Sequence, residues 1–164
     1  MSSGDGGGIY VQSGVNATLL ASTVAFNNAG HEGGGIWTNG SLTLERTLIS
    51  NNVTNSGSGP EGSFSGGTIT SNGHNLVRED TDFNFTSATG DLVGSISSPI
   101  DPNILPLADN GGRTPTIALG GGSPAIDAGP TNSSPLFQDQ RGFARLRDGN
   151  RDESDVRQRR SLRV

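Results

Sequence analysis

Lysine and cysteine are absent from this 164-residue chain, and aromatic side chains are scarce: one Trp, one Tyr and six Phe. Without cysteine there is no disulfide framework and no thiolate metal site. No stretch approaches the roughly 18 to 20 consecutive apolar residues that a membrane-spanning helix needs. Leu, Ile, Val and Phe together number 36, about 22% of the chain and just above the level that marks disorder. Good helix formers are too few to build long amphipathic helices. What is abundant is Gly, Ser, Asn and Thr, 74 residues in all. That composition suits short strands joined by many turns.

The formal net charge is -5, and it is unevenly spread. From residue 141 onward eight arginines face four acids, a local balance of +4, so the preceding 140 residues carry -9. The basic stretch has no interleaved aromatics and matches no recognition module, which argues against nucleic acid as a partner. The N-terminus runs from Met1 through Ser2 and Ser3 into Gly4-Asp5-Gly6 with no apolar segment of the signal-peptide kind.

Internal repetition organises the first half. Gly6-Gly7-Gly8-Ile9-Tyr10 returns as Gly33-Gly34-Gly35-Ile36-Trp37, 27 residues later. Thr23-Val24-Ala25-Phe26-Asn27-Asn28 returns as Thr47-Leu48-Ile49-Ser50-Asn51-Asn52, 24 residues later. Within the units, Leu20, Val24 and Phe26, and Leu42, Leu44 and Leu48, mark short apolar alternations that read as strands. A period in the mid-twenties, built of short strands and polar corners, predicts one coil of a parallel β-helix. In such a coil Ile9 stacks on Ile36 and Tyr10 on Trp37 as inward ladders. Asn28 and Asn52 pair at a corner, and the glycine triplets supply the positive φ that a corner demands. Leucine-rich repeats are excluded by leucine spacing, and helical repeats by composition.

After about residue 60 the repeat loosens, although residues 65–77 still read as a coil. An ordered string follows. It contains Gly90-Asp91-Leu92-Val93-Gly94, then Asp101-Pro102-Asn103-Ile104-Leu105-Pro106-Leu107-Ala108-Asp109-Asn110-Gly111-Gly112, then Gly122-Ser123-Pro124-Ala125-Ile126-Asp127-Ala128-Gly129, then Asp139-Gln140-Arg141-Gly142. This string resembles the C-terminal part of bacterial surface proteins carrying the choice-of-anchor Q domain, often found with a CSLREA segment. The similarity spans roughly residues 66–156, and the Gly-Gly-Gly-Ile coils before it also fit. The resemblance implies an all-β fold: a right-handed parallel β-helix (solenoid) fragment of pectin-lyase-like architecture, with an irregular, loop-rich C-terminal region. The expected division is β-helix coils over 1–98, a choice-of-anchor Q-like region over 99–156 and a basic tail over 157–164.

Two departures from the family pattern carry their own expectations. Where the family ends on Asp-Val-Gly-Ala-Phe-Glu, this chain reads Asp155-Val156-Arg157-Gln158-Arg159-Arg160-Ser161, which points to a shifted reading frame after about Val156 and an aberrant or disordered tail. The resemblance also implies a signal peptide upstream of this segment, and hence an extracellular or cell-surface location.

Several residues invite chemistry. Asp109, Arg113, Asp127, Asp139 and Arg141 are candidates to cluster, but their motifs are those of turns and of Asp–Arg pairs that fix loops. His31 and His74 are the only histidines, 43 residues apart and each at a turn, which is too little for a zinc site. Ser58 and Ser63 lie in loop-like sequence without the strand-to-helix setting of a nucleophile elbow. Five Asn-x-Ser/Thr sequons follow from composition. The acidic run from Asp148 to Asp155 is the best cation candidate: Asp148, Asn150, Asp152 and Asp155 offer hard oxygens to Ca²⁺, although Glu153 stands where a calcium loop has its glycine.

Three functions follow. The first is a non-catalytic, extracellular structural or adhesive segment whose partner is a polysaccharide or other cell-surface polymer. The second is a polysaccharide lyase or hydrolase of pectin-lyase-like fold, and the third a calcium-stabilised cell-wall anchoring module. Open strand edges at the ends of a stack also predict end-to-end self-association.

Overall fold

Short β-rich segments punctuated by turn residues leave the backbone one way to satisfy its N–H and C=O groups, which is pairing between successive repeats. The computed structural model describes residues 4–130 and 138–145. Among these residues the protein is all-β, with no helix. The first strands are β1 (Ile9–Val11), β2 (Asn16–Leu20), β3 (Thr23–Ala25) and β4 (Asn28–Ala29). The next are β5 (Ile36–Thr38), β6 (Ser41–Glu45), β7 (Leu48–Ser50) and β8 (Val53–Thr54). They are followed by β9 (Gly62–Phe64), β10 (Thr68–Ser71), β11 (Leu76–Val77) and β12 (Leu92–Val93).

These strands form four sheets, ordered β1-β5-β9, β10-β6-β2, β12-β11-β7-β3 and β4-β8. Every pairing is parallel. In the first sheet Ile9 lies opposite Ile36 and Tyr10 opposite Trp37, the register that the repeated glycine motif predicts. The repeat also runs on past residue 60: Ile36 lies opposite Gly62, so Gly59-Pro60-Glu61-Gly62 occupies the place of Gly33-Gly34-Gly35-Ile36.

Alternation along the strands decides what is buried. Val11, Val24, Ile36, Leu42, Leu44, Ile49, Val77, Phe83 and Phe85 form one apolar cluster, with Ile9, Ala17, Leu19, Ile69 and Val93 packed against it. Leu19, and not Leu20, therefore faces this core; Leu20 lies opposite Glu45. Tyr10 and Trp37 do stack, at 4.5 Å between centroids and 9° between planes, but outside the core cluster. Neighbouring residues of a strand point to opposite faces, so Ile9 and Tyr10 cannot both be inward. Phe26 is likewise exposed, with φ of 60°.

The corners are built differently from the expectation. Ala21, Phe26, Arg46 and Asn51 adopt positive φ where one strand turns into the next. Of the triplet Gly33-Gly34-Gly35 only Gly33 does so. The other two are glycine for want of room: a Cβ on Gly34 would lie 2.5 Å from the carbonyl oxygens of Pro60 and Val53, and one on Gly35 would lie 2.8 Å from Asn52 Nδ2. At Gly62, where the ladder of isoleucines stops, the ring of Phe83 fills the vacated space, and Phe83 and Phe85 stack at 6.1 Å.

The chain divides into two compact units between Pro102 and Asn103. In the second unit the described residues hold no strand of two or more residues, only isolated antiparallel bridges such as Ile104 with Leu119 and Ala108 with Thr116. Residues 146–164, including the basic tail, lie outside the described residues.

Candidate functional site

Polar side chains buried inside a stack must find partners along it. Two columns do so. In the first, Asn27 donates to Asn52 Oδ1 from its side-chain Nδ2 (2.9 Å) and from its backbone N–H (3.0 Å). Asn52 Nδ2 donates to the carbonyl of Val24 (3.0 Å) and to Glu61 Oε2 (2.8 Å). The ladder thus joins Asn27 to Asn52, 25 residues on, and not Asn28 to Asn52. Asn28 lies opposite Val53. In the second column the N–H of Thr47 donates to Asn75 Oδ1 (2.9 Å), and Asn75 donates through N (2.7 Å) and Nδ2 (3.0 Å) to Asp91 Oδ1. Both columns end on a carboxylate.

Glu61 carries a shifted carboxyl. Its side chain is fully buried, and it also accepts the N–H groups of Asn51 (3.0 Å) and Asn52 (3.3 Å). Burial pushes its carboxyl above the usual range. The Asn52 side chain and N–H, the charge of Arg78 and the N–H of Asn51 pull it back without cancelling the rise. Arg78 Nη1 stands 3.8 Å from Glu61 Oε1, beyond hydrogen-bond reach, and is 36% exposed. Next to it runs an open groove of ≈ 440 Å³, lined by the 57–60 loop, Arg78, Glu79, Thr81, Ile96 and Pro99. Glu79 is committed to its own turn, accepting the N–H of Thr81 at 3.0 Å. The groove therefore offers one accessible cation and no converging pair of carboxylates. Such an arrangement can hold an anionic group; it has no base poised beside an acid.

The candidates in the second unit resolve into one lock. Arg141 donates to Asp139 Oδ2 from Nε (3.0 Å) and Nη2 (2.7 Å), and to the carbonyl of Asn110 from Nη1 (3.3 Å). Its guanidinium also sits 5.0 Å from the ring centroid of Phe143. Burial alone would raise Asp139. The side-chain hydrogen bonds from Arg141, followed by the N–H groups of Phe143 and Arg141, outweigh it and hold the carboxyl below its ordinary value. Asp109 accepts the N–H of Gly111 (3.0 Å) within its own turn. Neither Arg113 nor Asp127 joins the Asp139–Arg141 pair. The geometry is that of a turn closed by a bidentate ion pair whose arginine also holds the carbonyl of Asn110 in another loop.

The remaining candidates separate. His31 Nδ1 pairs with Asp5 Oδ1 at 3.0 Å on the exposed surface. His74 is a corner residue with φ of 57°. Ser63 is buried and its hydroxyl donates to Glu32 Oε2 (3.1 Å). Among the described residues no three His, Asp or Glu side chains gather as metal ligands. The Asp148, Asn150, Asp152 and Asp155 set proposed for Ca²⁺ lies outside the described residues. Again among the described residues, no helix is long and apolar enough to cross a membrane. Glu61 and Phe83 escaped the sequence reading. The alignment of Gly59-Pro60-Glu61-Gly62 with Gly33-Gly34-Gly35-Ile36 was the signal that would have found both. No protein-family model, curated protein or solved structure matches this chain.

Proposed function

We propose that the chain is a segment of a right-handed parallel β-helix of pectin-lyase-like architecture from a choice-of-anchor Q-type bacterial surface protein. Its role is structural and adhesive, at the cell surface or outside the cell, and its partner is a polysaccharide or other surface polymer. The observation that carries this reading is the in-register parallel stacking of equivalent residues in three sheets, with side-chain ladders of Asn, Ile and aromatic residues between repeats. A stack of that kind presents long regular faces, which suit contact with an extended polymer. The buried and paired carboxylates support a non-catalytic role, since Glu61, Asp91 and Asp139 are each engaged by several N–H donors. The test is co-sedimentation of the purified protein with a panel of insoluble and anionic polysaccharides, with parallel assays for new reducing ends and unsaturated uronides. Retention without cleavage is the expected result. Depolymerisation would replace this reading with a lyase or hydrolase centred on the Arg78 groove, and failure to bind any polymer would remove the adhesive role.

A further inference from the structure

The two ends of the stack are built differently. At one end β1, β2 and β3 are edge strands. Ser41 donates its N–H to the Val15 carbonyl, and Ala21 donates to the Glu45 carbonyl, each at 2.9 Å. Alternate residues of a strand bond to the same neighbour in a parallel ladder, so Val15, Ala17, Leu19 and Ala21 are committed to β6. The N–H and C=O of Thr18 therefore point away from the stack, and the same alternation turns Tyr10 outward in β1 and Thr23 in β3. Apolar side chains are uncovered there too. Ile9, Ala17 and Leu19 are half-buried, whereas Ile36, Leu42 and Leu44, opposite them in the next repeat, are at most 1% exposed. At the other end the Phe64 N–H, on the outer side of β9, donates to the carbonyl of Asp82 at 2.8 Å, and the ring of Phe83 lies over Gly62.

Composition follows the same division. Residues 6–30, which carry β1 to β4, hold no charged residue and no proline, whereas residues 60–102 hold seven charged residues and three prolines. Asp5 and His31, which border the first repeat, pair with each other at 3.0 Å. Charges and prolines are what keep an edge strand from pairing with another chain. The first repeat has neither, so its edge accepts a strand that is itself uncharged and free of proline. Of the two ends of the stack, this one meets that requirement and the other does not. We infer that the chain pairs with a second copy of itself through β1, β2 and β3, end against the same end. The two-fold axis relating such copies sets the strands antiparallel across the contact. It uses up the open edge of both, so assembly closes at two. Contact through opposite ends would instead grow without limit. This inference does not depend on polymer adhesion.

The test is the mass of the full chain in solution, by sedimentation equilibrium over a concentration series. Wild type is expected to rise from 16.8 kDa toward twice that value and to level there. Thr18→Pro removes an outward N–H without touching the ladder to β6, and Thr18→Lys sets like charges on both copies at the contact. Each should raise the dissociation constant by about tenfold or more. Thr70→Lys makes the same charge change in the same column, on β10 at the opposite edge, and should leave the constant unchanged. Thermal melts establish that the variants fold, and Thr18→Lys decides the matter if the proline variant does not. The inference is overturned if wild type keeps the mass of one copy throughout, or climbs past two. It is equally overturned if Thr18→Lys dissociates no more readily than Thr70→Lys.

Discussion

Replacement of Asn52 by alanine is the sharpest test of how this stack is held together. The side chain is 3% exposed and connects three repeats. Alanine would remove the acceptor of two bonds from Asn27, at 2.9 and 3.0 Å, and the donor to the Val24 carbonyl at 3.0 Å. It would also remove the 2.8 Å bond to Glu61, whose carboxylate would stay buried with fewer donors. Neutral bonds of this type contribute about 1 kcal/mol each, and a bond to a charged group about 1.5–3 kcal/mol. Allowing for non-additivity within one network, the expected loss is about 3–4 kcal/mol. That is a large part of the stability of an ordinary domain. The sole tryptophan, Trp37, lies in the same unit, so urea unfolding followed by its fluorescence reads the loss directly. With a urea slope of about 1–2 kcal/mol per molar, the midpoint should fall by about 1.5–4 M. Asn28→Ala is the matched control: this residue is exposed and adjacent to the ladder, and the change should cost less than about 0.5 kcal/mol. An Asn52→Ala variant within about 1 kcal/mol of wild type, or an Asn28→Ala variant as damaged as it, would refute the network account.

Four further outcomes follow from the same geometry. Gly62→Ala drives a Cβ to 2.2 Å from the Phe83 ring, so it should cost about 1–3 kcal/mol by urea unfolding, whereas Gly14→Ala, with nothing within 4 Å but a φ of 80°, should show only a backbone penalty of about 1 kcal/mol. Because burial raises the Glu61 pKa above its ordinary value of 4.5 in the folded state, the unfolded chain releases this proton first. The stability of wild type relative to Glu61→Gln should therefore decline as pH rises above about 4.5, and a rising difference would contradict the burial argument. Asp139 has the opposite sign: its contribution, present above the ordinary value of 3.8, should fade as pH drops toward the depressed folded value, measured as faster amide exchange at Arg141 and Phe143. Tyr10→Ala removes one layer of the 4.5 Å stack and should cost about 0.5–1.5 kcal/mol while shifting Trp37 emission to the red.

The sequence was most readable where two repeats carried the same rare residues. The Gly-Gly-Gly-Ile motif set the register of the first sheet, and the aromatic pair after it stacks as that register requires. The asparagine column was misplaced by one residue for a definite reason. Asn27-Asn28 and Asn51-Asn52 are identical dipeptides that match at both residues at an interval of 24 and at one residue at 25, and matching Thr23 to Thr47 also favoured the shorter interval. The observed register pairs Val24 with Ile49 and buries both. A slip of one residue reverses which face every side chain meets, so burial settles what identity could not. The capping residues were hidden by the opposite difficulty. Glu61 and Phe83 matter because they differ from the repeat, and a search for similarity passes over the places where similarity stops. Of the five charged residues suspected of clustering, Asp139 and Arg141 pair with each other, and the turn character of their motif already suggested a loop clamp.

The two carboxylates at the ends of the asparagine columns carry a consequence for how such a stack is measured out. An amide is a relay, receiving on its oxygen and passing on through its nitrogen, so asparagine can be repeated without limit. An ionised carboxylate receives only, and at Glu61 and Asp91 the relay stops. Asp91 stands in line with Asn75, so length there is written as a change of one functional group, from amide to acid, whereas Glu61 reaches Asn52 from the place that Gly35 holds one repeat earlier. A longer stack grafted at this end would need an amide or hydroxyl at 91 for the column to pass a donated hydrogen bond on to the added repeat. An acid placed at 52 would silence the column one repeat early.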